Sequence, residues 1–172
     1  MRRIVTGHTP DGKSTVTSDT ELDVISVGPA LELYKIWGAD EAPTFPDDGS
    51  PPLYSMYFPP VDGFRFVIGT WPPESAVQPE KIDFDVVLEK LEETMPGAAK
   101  YMEKDSPGMH TTDTIDFEYI ISGEIWLELD DGKEVLLRAG DTVIQNGTRH
   151  AWHNRSSEPC SMVVCLIGAH RR

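Results

Sequence analysis

The stretch from Gly108 to Asn154 holds three of the five histidines, His110, His150 and His153, and two acids, Asp116 and Glu118, set two residues apart. Imidazoles and carboxylates are the side chains that move protons or bind metals near neutral pH. The same stretch has the densest β-forming pattern in the chain. On a strand starting at Asp116, period-2 alternation sends Asp116, Glu118, Ile120 and Ser122 to one face and Phe117, Tyr119 and Ile121 to the other. Asp116 and Glu118 then look into one space, where burial and like charge would raise a carboxyl pKa. Glu118 is therefore a candidate general base or proton carrier; the alternatives are that it neutralises Arg149 or points into water. On the strand at His150, His150, Trp152 and Asn154 share one face, while Ala151 and His153 share the other.

Two segments carry a family resemblance. The first is Gly108-Met109-His110-Thr111-Thr112-Asp113-Thr114-Ile115-Asp116-Phe117-Glu118-Tyr119-Ile120-Ile121-Ser122-Gly123-Glu124. The second is Gly140-Asp141-Thr142-Val143-Ile144-Gln145-Asn146-Gly147-Thr148-Arg149-His150-Ala151-Trp152-His153-Asn154. Together they resemble the two signature motifs of the cupin superfamily. Anchoring the first on Gly123 places His110 at the family's first histidine, Thr112 at its second and Asp116 at its glutamate. In the second, Gly140, Asp141, Gly147, His150 and Asn154 fall into place, Asn146 stands where the family has proline, and the family spacing to the histidine is one residue longer. The motifs cover about a quarter of the chain, and the strand rhythm about two thirds.

The resemblance implies a metal set of His110, Asp116 and His150, with Thr112 in place of a metal histidine and Asp116 one methylene shorter than the usual acid. Two imidazoles and a carboxylate leave coordination positions open, which suits non-haem Fe(II), with Mn, Ni and Zn as other choices for the divalent transition metal. Six residues of extended strand span about 20 Å, so His110 and Asp116 can share an ion only if the chain turns between them. Thr111-Thr112-Asp113-Thr114, with short side chains that bond nearby backbone, suits such a turn. The other reading has no metal, with His110 and His150 hydrogen-bonding in a polar interior. Thr112 and Trp152 are the expected pocket-lining residues. The implied function is a small-molecule enzyme of oxygenase, lyase or isomerase type; the alternative is a metal-free binding or sensor protein without turnover.

At 172 residues the chain reads as one domain, residues 1–172. Cys160 and Cys165 lie on what reads as one strand and on opposite faces, so they do not pair with each other. No apolar run approaches the roughly 20 residues that span a bilayer, and the N-terminus lacks a secretory pattern; a cytoplasmic protein is the expectation. The net charge of −14 argues against nucleic acid and anionic membrane as partners. The resemblance adds a homodimer, formed by packed sheets or exchanged N-terminal strands.

The elements that must position these residues are mostly short strands. Residues 1–75 read as an N-terminal hairpin turning at Thr9-Pro10-Asp11-Gly12-Lys13, a strand at Leu31 to Trp37, and a Pro-rich loop from Gly38 to Pro60, followed by a strand from Gly63 to Trp71. His8 reads as a surface turn residue. Tyr54, Met56, Tyr57 and Phe58 at the loop's end either cover a barrel mouth or pack outside it. Residues 83–96 form the one helix, with Asp83 as cap, Phe84, Val87, Leu88, Leu91 and Met95 as its apolar stripe, and Pro96-Gly97 as its stop. Residues 108–168 are the core of the motifs, with turns at Ser122-Gly123, Asp130-Asp131-Gly132 and Ala139-Gly140-Asp141. Asn146-Gly147 is the strongest two-residue hairpin signal. His170, at the tail, reads as disordered or surface. The fold expected is all-β, a cupin-type double-stranded β-helix or jelly-roll barrel, with one short helix before the first motif.

Overall fold

The structure, a computed structural model, describes residues 1–76 and 84–172, without the side chain of Phe84. The expected cap at Asp83 lies outside the described residues. Eleven strands are described: β1 Arg2–His8, β2 Ser14–Glu21, β3 Ile25–Val27, β4 Leu31–Ala39, β5 Phe64–Trp71, β6 Thr114–Ser122, β7 Glu124–Glu128, β8 Glu134–Arg138, β9 Thr142–Gln145, β10 Ala151–His153 and β11 Cys160–Gly168. One α-helix, α1 Phe84–Thr94, precedes the motif strands. The fold is the all-β jelly roll read from the sequence.

A six-stranded sheet runs β3-β4-β5-β11-β6-β9 and faces a three-stranded sheet, β10-β7-β8, while β1 and β2 pair apart. All the strand pairings are antiparallel. The core fills the space between the two larger sheets. Ile120 and Met162 from the six-stranded sheet and Ile125 and Leu127 from the three-stranded one are buried there, and Leu33 joins them. Cys160 and Cys165 are both free thiols on β11, with Cys160 buried. Among the described residues no helix is long and apolar enough to cross a membrane.

Several sequence expectations are met locally. The first hairpin closes through the Thr9 amide on the Lys13 carbonyl at 2.8 Å, with Gly12 at φ +81°. His8 bonds the Asp47 backbone at 2.9 Å through Nδ1, so it ties the Pro-rich loop to the hairpin. Others are corrected. Asn146-Gly147 does not make a hairpin, because β9 pairs with β6 and β10 with β7. The turn instead carries the chain from one sheet to the other. Gly147, at φ +58°, lies so near the Thr112 and Thr114 carbonyls that a Cβ would meet them at about 3.0 Å. In the tail His170 is exposed, in keeping with the surface alternative, while its neighbour Arg171 donates to the Thr112 and Gly147 carbonyls and pairs with Asp113.

One buried cation organises the Pro-rich loop. Arg65 sits on the inward face of β5 with Val67, and is itself 0% exposed. Its guanidinium donates to the carbonyls of Ala39 (2.7 Å), Phe64 (2.8 Å) and Met56 (2.8 Å) and to the Asp40 carboxylate. The Tyr54 ring stacks 3.9 Å from it. Gly38 makes room, since a Cβ there would lie 2.7 Å from the arginine Cδ. A charge removed from water is tolerated when so many acceptors replace its hydration. The loop thus has a single anchor at both of its ends, and Tyr57 and Phe58 follow directly from it into the interior. Truncation by Arg65→Ala leaves buried acceptors without a donor, and should cost on the order of 3–5 kcal/mol, read as a shifted urea midpoint. Arg65→Lys, with a point charge in place of a planar fork, should recover only part of it.

Candidate functional site

Strand β6 is inverted relative to the usual hydrophobic rule. Thr114, Asp116, Glu118 and Ile120 point inward and are buried, whereas Phe117, Tyr119 and Ile121 point outward and are 43–46% exposed. The phase is fixed from both sides: Asp116 lies opposite Leu166 and Glu118 opposite Val164 on β11, and Gln145 and Val143 face the same two acids from β9. A slip of one residue would reverse the faces. The expected alternation from Asp116 therefore holds, except that Ser122 at the strand end is exposed.

The two imidazoles are brought together by backbone. His110 and His150 exchange both amide-to-carbonyl bonds at 3.0 Å, and their rings lie 4.2 Å apart between centroids. Each ring is fixed through Nδ1, that of His110 on the Gly108 carbonyl (3.0 Å) and that of His150 on the Thr148 carbonyl (2.9 Å). A carbonyl can only accept, so Nδ1 carries the proton and each neutral ring keeps its lone pair on Nε2. Burial holds both rings below the ordinary histidine range, His150 at about 3, with His110 beside it as a second cause.

His110, Asp116, Glu118, His150 and Trp152 all line one cavity of about 350 Å³. Its remaining walls are apolar: the α1 stripe Val87, Leu88, Leu91 and Met95, and the loop residues Tyr57 and Phe58. Sequence reasoning left those two walls as either packing or cover; they face the site. Trp71 also lines it and was missed. Its ring, tilted 6.3 Å from Trp152, folds back over Gly69, where a Cβ would come within 2.6 Å of the indole. A glycine two residues before a strand-end tryptophan was the available signal.

Two expectations are corrected. Thr112 is buried but does not line the cavity: its hydroxyl pairs with Thr114 at 2.9 Å, and its carbonyl receives Arg171. The chain turns there as expected, but the turn is backed by the tail. Nor are His110, Asp116 and His150 gathered into a metal set, since among the described residues no three His, Cys, Asp or Glu side chains lie together as a metal site. The donor chemistry suits a metal, with two neutral imidazoles and an orphaned carboxylate oxygen, but the three side chains are not gathered around one point. Glu118 is not the partner of Arg149, which bonds Glu103 through two 2.7 Å contacts and Asp130 at 3.1 Å. His153 lies outside the cavity between Glu74 and Glu128.

Asp116 Oδ1 and Glu118 Oε2 are buried without a hydrogen-bond partner. Burial pushes Asp116 up to about 6, against a weaker pull from Thr114. Burial and then the neighbouring Asp116 push Glu118 up to about 9. At neutral pH the first is an ionised base and the second a neutral acid, the divergence that marks an acid–base pair. For Glu118 the folded state holds its proton where the unfolded chain, at 4.5, has lost it, so its contribution to stability is present below about pH 4.5 and lost as pH rises toward 9. Glu118→Gln should therefore gain stability over the parent by a few kcal/mol on going from about pH 5 to about pH 9, measured by thermal melts. His150 acts oppositely: its folded value lies below 6.5, so stability falls as pH drops from about 6.5 toward 3.

Residues 98–166 match the family model described as Cupin domain. Among curated proteins, 48 residues are 48% identical to "Phomopsin biosynthesis cluster protein D" of Diaporthe leptostromiformis, covering 28% of this chain and 25% of that protein. Fifty residues are 44% identical to "Oryzines biosynthesis cluster protein J" of Aspergillus oryzae, covering 29% and 28%. Forty-six residues are 39% identical to "Cupin-domain-containing oxidoreductase virC" of Hypocrea virens, covering 27% and 24%. The matches span about a quarter of the length of these relatives. Among solved structures, the Schizosaccharomyces pombe Cnp3 cupin domain aligns with a TM-score of 0.50 at 8% identity, over 97% of this chain and 87% of that one. Residues 98–166 thus match a cupin domain, and the chain shares the jelly-roll fold of the cupin-domain structure with which it aligns.

Proposed function

We propose that the cavity is the active site of a small-molecule enzyme that works by acid–base chemistry, as a lyase or isomerase. The observation that carries this is the pair of buried, partnerless carboxylate oxygens on one face of β6, inside an apolar cavity. Asp116 takes a proton from a carbon next to a carbonyl, Glu118 gives one to the carbonyl oxygen, and an enol results. The apolar walls keep water away and the indoles hold a planar substrate. The relatives' names, two from biosynthesis clusters and one an oxidoreductase, support small-molecule work. Two free cysteines accord with the reducing environment of the cytoplasm.

The test is deuterium exchange in D2O at the carbon beside the carbonyl of a probe ketone, 1-phenylpropan-2-one, followed by NMR. Asp116→Asn should lower the exchange by about 100-fold or more, and Glu118→Gln by a comparable factor. Exchange no faster than in the double variant would refute the reading. A metal-dependent oxygenase using Fe, Mn, Ni or Zn is the second reading, favoured by the two imidazoles that keep Nε2 lone pairs. Metal analysis of protein purified without chelator separates them: a full equivalent lost on His150→Ala supports the second reading, and under about a tenth of an equivalent removes it.

A homodimer is proposed as well. Across β5, β11, β6 and β9 the outer face of the large sheet carries Phe66, Cys165, Phe117 and Ile144 in one row of paired residues. Phe117, Tyr119 and Ile144 are among its exposed residues. On a chain of net charge −14, identical copies repel except where such an uncharged surface meets its own copy. Sedimentation should give twice the 19.2 kDa of one chain, and Phe117→Lys should return it to the single mass.

A further inference from the structure

The polar side of the cavity is made of acceptors. Asp116 Oδ1 and Glu118 Oε2 are orphaned in a site where the two side chains are 4% and 5% exposed. His110 and His150 add two Nε2 lone pairs, because each Nδ1 already donates to a carbonyl. No lysine or arginine lines the cavity among the described residues. The cations that could have reached it are engaged elsewhere: Arg65 in the loop anchor, Arg149 with Glu103 and Asp130, Lys35 on the Thr94 carbonyl at the end of α1, and Arg171 on Asp113. A buried acceptor left without a donor is a defect that a ligand can repair.

From this inventory we infer that the cavity takes a small ligand carrying a protonated amine on an apolar or aromatic body. This rests on the reading of the cavity as a small-molecule site, and names the class of ligand. An ammonium brings three donors and a positive charge to a wall that has acceptors and negative charge. The opposite walls suit its body and its charge together: Trp71, Trp152, Tyr57 and Phe58 present ring faces and edges, and a cation near such rings is attracted by their quadrupole. A carboxylate or phosphate ligand meets the reverse of what it needs, two acids and no cationic side chain among the described lining residues. A bare metal ion is the other cation that such acceptors could take. They are not gathered into a set of three around one point, whereas an amine with an extended body meets acceptors spread along a wall.

Three probes with one body and three head groups test this: 2-phenylethylamine, 2-phenylethanol and 3-phenylpropionate, titrated into the protein as purified at neutral pH and followed by calorimetry, with metal content measured on the same sample. The amine should bind at least about tenfold tighter than the alcohol, and the carboxylate should bind weakest. In Asp116→Asn, which preserves shape and removes the ionised acid, the amine's advantage should shrink to about threefold or less while the alcohol's Kd stays within about twofold. An alcohol that binds as well as the amine, or an amine preference unchanged in both Glu118→Gln and Asp116→Asn, overturns the inference while leaving a small-molecule site in place. Failure of all three probes to bind overturns the inference and the site reading together. Amine binding that disappears when a stoichiometric metal is stripped assigns the acceptors to the metal and overturns it as well.

Discussion

The register of β6 against β11 is the constraint on which the site depends. Each residue of β6 has two places to go, and pairing with β11 and β9 sends the acids inward and the aromatic and branched side chains outward. Taken alone, β6 would prefer the reverse, with Phe117 and Tyr119 in the core and Asp116 in water. The neighbouring strand settles the matter. Met162, Val164 and Leu166 of β11 point inward beside Ile120, so burying that larger set fixes the phase for both strands. The cost falls on two buried carboxyl groups, each with one oxygen left unpartnered, and that burial is what raises their proton affinity. The raised proton affinity of the pair is a by-product of where the hydrophobic majority lies.

The same inversion recurs on β5, where Arg65 is interior and Phe66 is outside. In that case the buried charge is satisfied by three carbonyls and Asp40, and it serves as architecture. Arg65 has both terminal nitrogens engaged at the loop and leaves only Nε unpaired, whereas Glu118 leaves a carboxyl oxygen unpaired against the cavity. Gly168 contributes to the same end: its amide bonds the Gly63 carbonyl at 2.9 Å, and any side chain there would collide with the Pro60 carbonyl. The loop can therefore lie flat across the end of β11 and deliver Tyr57 to the cavity wall.

The parts of this that sequence could reach were those governed by periodicity and local turn chemistry. Alternation located Asp116 and Glu118 on one face, His150 with Trp152 on another, and the α1 stripe at helical spacing. The hairpin at Gly12 and the turns at Gly123 and Gly140 followed from backbone needs, all three residues having positive φ. What escaped was set by partners distant in the chain. Asn146-Gly147 has hairpin chemistry, yet its flanking strands find β6 and β7, so the same glycine conformation serves a crossing. Thr112 looked like a pocket residue because a family position was carried over; Arg171, 59 residues on, turns its backbone into a clasp. Tyr57 reached the cavity through Arg65, and no pattern within the loop records that.

Strand β11 also carries a consequence for how the molecule is made. It is last in chain order, yet it lies in the middle of the large sheet, between β5 and β6. On a ribosome, every earlier strand of that sheet emerges before the one that joins its halves. Until then two long edges stand open, one of them next to the apolar row of β6. Closure must wait for contacts of long sequence separation, which form slowly, and unpaired edges in the interval are templates for wrong pairing. The design that sets the acids' phase thus ties the protein's quality in the cell to the delay before β11 joins the strands that precede it.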